Sequence, residues 1–172
     1  MNLQAKETLD QAIADSCLKL FSDYRLEIRA RQPSDRLSTE HFLLCGIIGF
    51  TAKDMRGALV LAATREPLDR TNRTRARTTH RDWICELSNQ LLGRVKNQML
   101  PRGLELHAAT PVSIRGDHLQ PIFAQTPVAE IFLAEVGVVA VWLDCEFDET
   151  FAWPPPYERV EAPVSEGEML LF

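Results

Sequence analysis

From about Thr79 to Leu100 the chain carries one apolar stripe: Trp83, Ile84, Leu87, Leu91, Val95 and Met99 recur at steps of three and four. That is the spacing of one face of an α-helix. A helix of this length cannot leave such a face in water, so the rest of the domain has to supply a layer against which it lies. Thr79 is a candidate N-cap, Asp82 places a negative charge near the helix start, where the macrodipole favours it, and Pro101-Arg102-Gly103 ends the helix.

The sequence upstream offers that layer. Two apolar segments, Phe42 to Ala52 and Gly57 to Ala63, flank the short polar run Lys53-Asp54-Met55-Arg56-Gly57 and read as an antiparallel hairpin. Before them, residues 3–22 form a second amphipathic helix, with Leu3, Leu9, Ala12, Ile13, Cys17 and Leu20 on one side. Tyr24 to Ala30 then alternates polar and apolar as a half-buried strand does. Pro33 to Glu40 breaks the pattern. After the long helix three β segments remain, Leu104 to Ala109, Pro121 to Pro127 or on into Phe132, and Gly137 to Phe147. The order is helix, three strands, long helix, three strands, which predicts an α+β sandwich with the helices on one face of a largely antiparallel sheet.

With 172 residues, 45% of them hydrophobic, the chain suits one core and is short for two. Residues 1–152 are assigned to a single domain. Residues 153–172, with Pro154-Pro155-Pro156 and several acids, read as an extended or disordered tail. The net charge of −5 gives no support to a nucleic-acid partner. No apolar run reaches the roughly 20 residues of a membrane span, and residues 1–7 show no signal-peptide core. Cys17, Cys45, Cys85 and Cys145 lie far apart in apolar surroundings and read as buried free thiols, which fits a reducing cytoplasm.

Asp82, Glu86 and Asn89 follow one another at spacings of four and three, so the long helix aligns them on one side. Gly93 and Asn97 extend the row, leaving a gap at Gly93 through which a partner could approach the backbone. Polar groups on an outer helix face are usually only solvated, and a bare Glu-x-x-Asn occurs by chance. The surroundings add weight. The run Asp82-Trp83-Ile84-Cys85-Glu86-Leu87-Ser88-Asn89-Gln90-Leu91-Leu92-Gly93 resembles the signature helix of the CheC/CheX chemotaxis phosphatases: Asp or Ser, three residues, Glu, two residues, Asn. Pro111 stands where that family has a later Pro, and the hairpin Gly46 to Phe50 with Arg56 to Leu61 is similar to its opening strands. The resemblance spans about residues 42–147.

That resemblance implies a CheX/CheC-like fold and a cytoplasmic enzyme that hydrolyses the aspartyl phosphate of a CheY-type response-regulator receiver domain. Carried over, Asn89 would orient the attacking water and Glu86 would pair with a receiver lysine. Asp82 and Gly93 would belong to the docking surface. Magnesium would come with the phosphorylated receiver, leaving this chain without a metal site or cofactor of its own. CheX relatives also imply a homodimer through a sheet edge, for which Val138 to Glu146 is the candidate strand. Glu7-Thr8-Leu9-Asp10 carries Asp where a second site would want Asn, so one site per chain is expected.

Residues 65–81 depart from the family, which has a short helix there. This chain has an arginine-rich stretch instead, including Arg73, Arg75 and Arg77. The plain reading is a solvated loop; the sharper one is a basic patch that steers docking onto an acidic receiver pocket. His41, His80, His107 and His118 show no metal spacing, and Asp144 to Glu149 reads as an acidic strand end. Two other functions stay open: a non-catalytic module that docks on a receiver, and an interaction domain of the flagellar-switch kind.

Overall fold

The computed structural model describes residues 3–32, 44–72, 79–116, 128–135 and 137–153. Helix α1 (Leu3–Asp23) leads through a turn into the short strand β1 (Ile28–Ala30). The hairpin β2 (Leu44–Ala52) and β3 (Met55–Ala63) follows, then two helices, α2 (Arg65–Thr71) and α3 (His80–Met99). A 3-10 turn (Leu100–Arg102) ends α3, with Gly103 in the left-handed region at φ 78°. Four strands complete the order: β4 (His107–Ala108), β5 (Val112–Arg115), β6 (Val128–Ala134) and β7 (Val138–Phe147).

The strands form one seven-stranded sheet in the order β1-β6-β7-β3-β2-β4, with β5 also paired to β2, and every pairing is antiparallel. The β2–β3 hairpin turns on Lys53 and Asp54 alone. Asp54 adopts φ 58°, which Asp tolerates better than most residues, and Met55 to Gly57 already belong to β3. Leu44, Ile48 and Phe50 of β2, Leu59 and Leu61 of β3, Val139, Val141 and Leu143 of β7 and Phe132 of β6 are buried in the main core. Leu9, Ile13, Leu20 and Phe21 of α1 and Ile84, Leu87, Leu91 and Val95 of α3 fill the same core. The sheet residues of opposite parity, Cys45, Val60 and Ala62 with Ile47 and Trp142, form a second, smaller cluster. The helices therefore cover one face of a largely antiparallel sheet, as expected.

Several expectations need correction. The stretch from residue 65 is not a loop at its start: Arg65–Thr71 is helical, and Pro67, Leu68 and Thr71 are buried. Glu66 in the first turn and Arg70 in the last suit the helix dipole, and Leu68 belongs to the main core. This chain therefore does have a short helix ahead of α3. Second, β7 is not a sheet edge. It pairs with β3 along Val139 to Phe147 and with β6 along Val138 to Leu143, so Val138 to Leu143 is internal to the sheet, and only Asp144 to Phe147 has no second strand among the described residues. Third, β5 arises from Val112–Arg115, a segment given no strand in advance, whereas the segment from Leu104 contributes only His107–Ala108. The early strand is likewise confined to Ile28–Ala30, and Cys85 and Cys145 are only partly buried. Residues 117–127 and the tail from 154 onward lie outside the described residues.

Helix α3 lies tight against β2 at Gly46. A Cβ at that position would collide with Ser88 Oγ and would come within 2.9 Å of the Ile84 carbonyl oxygen. Ser88 is buried, and its hydroxyl donates to that same carbonyl at 2.8 Å. Gly46→Ala meets the Ile84 backbone carbonyl as well as Ser88 Oγ, and the backbone cannot swing aside, so it should lower stability by about 1–3 kcal/mol. Urea denaturation checks this; an unchanged midpoint would show that the helix is not seated on β2 at this point.

Candidate functional site

The start of α3 is set by Thr79, whose side chain accepts from the Asp82 backbone N–H at 3.2 Å. The Thr79 hydroxyl donates in turn to Asp82 Oδ2 at 2.6 Å. That hydrogen bond, with Arg81 3.7 Å away, holds the exposed Asp82 carboxyl below its ordinary value. Asp82 is thus engaged in capping its own helix.

One and two turns on, Glu86 and Asn89 sit half-buried on the side away from Leu87 and Leu91. Glu86 Oε1 accepts from Gln90 Nε2 at 2.8 Å, and Glu86 has no cationic partner among the described residues. The Asn89 side chain makes no hydrogen bond among the described residues, so its amide oxygen and N–H groups are available to a visitor. A Cβ built on Gly93 would meet nothing within 4 Å. The fold does not need glycine there, and the surface beside Asn89 is open. Glu86, Asn89 and Gly93 thus come together as anticipated, on the convex side of a helix rather than in an enclosed cleft. Arg73, Arg75 and Arg77 lie outside the described residues.

The flank of α3 next to this row is tied to α1 by polar contacts at four-residue intervals. Gln90 Oε1 accepts from the Tyr24 hydroxyl at 2.8 Å, Arg94 Nη2 donates to Asp23 Oδ2 at 2.9 Å, and Gln98 Nε2 donates to Ser16 Oγ at 2.8 Å. The partner numbers fall as those on α3 rise, so α1 and α3 run antiparallel. The tie to α2 is similar: Trp83 Nε1 donates to Thr71 Oγ1 at 2.9 Å, and that hydroxyl donates to the Pro67 carbonyl at 2.8 Å. Sequence reasoning missed Gln90 and Tyr24; the four-residue step from Glu86 to Gln90 was the available signal.

Glu7 and Asp10 of α1 do not make a matching outward pair. Glu7 is exposed, whereas Asp10 is half-buried with Oδ1 shielded from solvent and without a hydrogen-bond partner. Burial pushes the Asp10 carboxyl up to about 6; Lys6 opposes this, while Glu130 and Glu7 add to it. Among the described residues no group of His, Cys, Asp and Glu could hold a metal ion, and no helix is long and apolar enough to cross a membrane. A concavity of about 600 Å³ lies on the opposite sheet face, lined by Thr51, Arg56, His107, Asp144 and Glu146, with no residue of α3 in its wall.

No protein-family model and no curated protein sequence matches the chain. Solved structures do. The chemotaxis protein CheX from Vibrio vulnificus superposes with a TM-score of 0.66 at 18% identity, covering 79% of this chain and 95% of that one. A CheC-like superfamily protein from Shewanella sp. PV-4 gives 0.65 at 18% identity, over 80% and 97%. A chain of the CheX–CheY–BeF3–Mg complex from Borrelia burgdorferi gives 0.57 at 13% identity, over 78% and 96%. These three structures are of CheX and CheC-like proteins, and the shared property at these identities is the fold.

The Asp10 environment has a measurable consequence. A carboxyl whose pKa is raised by folding makes the native state bind more protons than the unfolded chain between pH 4 and 6, so stability falls as pH rises through that window. Asp10→Asn should therefore stabilise the protein at pH 7.5. The gain is about 1 kcal/mol after discounting for the solvent that reaches a half-buried residue. It should shrink below pH 6 and vanish near pH 4. Thermal unfolding of both proteins across that range is the check; equal stability at pH 7.5 would count against it.

Proposed function

We propose that this protein is a phosphatase acting on the aspartyl phosphate of a CheY-type receiver domain, with Asn89 and Glu86 of α3 as its working residues. The observation that carries the reading is the state of these two side chains. Asn89 has its amide free among the described residues, one turn from a Glu86 carboxylate that lacks a cationic partner, on an open face of a well-packed helix. The fold shared with CheX and CheC-like proteins, one of them in a complex with CheY, supports the same reading.

An acyl phosphate is already activated, so hydrolysis asks mainly for a water held in line with the bond that breaks. Water attacks phosphorus, the bond to the aspartyl oxygen breaks, and the carboxylate leaves as inorganic phosphate forms. The Asn89 amide can both accept from and donate to that water and adds no charge beside the phosphoryl oxygens. Glu86 would take the receiver's lysine, its second oxygen facing the partner. Asp82 and Gly93 would lie in the contact, Asp82 as the capped helix start and Gly93 as the open space beside Asn89. Arg73, Arg75 and Arg77 would speed docking onto an acidic receiver surface, an effect that salt would weaken. Magnesium would arrive with the phosphorylated receiver. A homodimer formed by sheet pairing would use β1 or the β4/β5 side, the outer strands among those described, since β7 is flanked on both sides from Val138 to Leu143.

The test is the dephosphorylation rate of CheY-type receivers in magnesium, with and without the protein. The unaltered chain should accelerate it. Asn89→Ala should lose at least about tenfold at saturating protein, and Asn89→Asp nearly as much, because a carboxylate there repels the phosphoryl oxygens. A normal rate in either variant would remove Asn89 from the chemistry. Binding without acceleration by the unaltered protein would make it a docking module.

A further inference from the structure

Glu86 is not oriented by its own helix alone. Ionised, its carboxylate can only accept, so the Gln90 group 2.8 Å from Oε1 must be the NH2 end. That turns the Gln90 oxygen toward Tyr24, whose hydroxyl must then be the donor across 2.8 Å. The three groups form a one-directional chain, Tyr24 to Gln90 to Glu86, in which each bond polarises the next.

The origin of this chain is itself fixed. Tyr24 follows the last turn of α1, where Tyr24 N and Leu26 N both donate to the Phe21 carbonyl at 3.0 Å and Arg25 takes φ 61°. The Tyr24 ring meets Trp83 edge-on, with centroids 5.4 Å apart and planes at 85°. Trp83 is held in turn by its N–H bond to buried Thr71 at 2.9 Å. Three helices thus locate one phenol oxygen, which is placed to direct Gln90 and, through it, Glu86.

We propose that Tyr24 and Gln90 are positioning residues for Glu86: they tie Oε1 and leave Oε2, which has no partner among the described residues, presented to the partner's cation. The proposal rests on the phosphatase reading for the identity of that cation and deepens it. A free glutamate side chain samples several rotamers that docking would have to suppress; a tethered one meets the partner already ordered. The effect belongs to recognition, because Asn89, which would handle the water, takes no part in the chain.

Tyr24→Phe and Gln90→Met should each raise KM for the phosphorylated receiver about 3- to 10-fold, the size expected for one hydrogen bond in a partly buried network. The value of kcat should stay within about twofold, since the attacking water is untouched. In a Glu86→Ala background neither change should add more than about 1.5-fold, because coupled residues do not act independently. Melting temperatures confirm that each variant is folded. A KM effect that persists in the Glu86→Ala background, a fall in kcat at constant KM, or no effect on KM overturns the proposal.

No acceleration by the unaltered protein would overturn the phosphatase reading and not this one. The side-chain couplings of Glu86 measured by NMR then decide: one dominant χ1 rotamer in the unaltered chain, averaged in Tyr24→Phe, supports positioning. Averaging already present in the unaltered chain overturns it.

Discussion

Helix α3 lies against β2 at Gly46 with no room for a methyl group, and Ser88 folds its hydroxyl back onto the Ile84 carbonyl at the same point. A hydroxyl bonded within its own turn occupies little more space than an alanine and leaves no buried donor unpaired. Seating the helix this deeply lets Ile84, Leu87, Leu91 and Val95 enter the core contributed by β2, β3 and β7. Once these residues face the sheet, the helical repeat turns Glu86, Asn89 and Gly93 away from it. The rotation of α3 about its axis, and with it the candidate site, depends on this contact.

A helix seated along one line could still tilt or slide. The polar ladder to α1 removes that freedom, because Tyr24, Asp23 and Ser16 meet Gln90, Arg94 and Gln98 at successive turns. The Arg94 side chain is only 10% exposed while Asp23 stays 56% exposed, so the pair is anchored at its α3 end and solvated at its α1 end. At the other end, Trp83 and Thr71 lock α3 to α2. The same contacts that fix the helix also reach the site, through Gln90 to Glu86. The polar groups that hold the helix and the candidate site are therefore joined by hydrogen bonds, from Tyr24 through Gln90 to Glu86.

Much of this was legible in the chain. The stripe Trp83 to Met99, the Thr79 cap and the β2–β3 pairing rest on local periodicity and local hydrogen bonds, which a sequence displays directly. The row Asp82, Glu86, Asn89 follows from helix geometry alone. Helix α2 was hidden because its apolar content is two residues, Pro67 and Leu68, set among charges; its stability is tertiary, from the core and from Trp83. Strand β7 was readable and was misread. Val138-Val139-Ala140-Val141-Trp142-Leu143 is a continuous apolar run, which bears on the two faces of the strand, whereas its place between β6 and β3 is set by long-range pairing that no local pattern displays. The Tyr24–Gln90 contact joins residues 66 apart, and no local pattern announces such a pair.

The two working residues of the proposed reading differ in how they are held, and the difference matches their tasks. Glu86 is tethered through one oxygen, which suits a group that must meet a fixed cation on a folded partner with little loss of freedom. Asn89 makes no hydrogen bond among the described residues and depends on the helix backbone for its place. A water-orienting amide has to give its full donor and acceptor capacity to the water and the phosphoryl group, and a bond to its own protein would withdraw part of it. An enclosed pocket would add nothing to such a site, because on the proposed reading the partner would bring the phosphate, the metal and the walls. What this chain has to supply is a rigid convex edge carrying an ordered carboxylate and an unencumbered amide, and α3, held by the sheet and two helices, is such an edge.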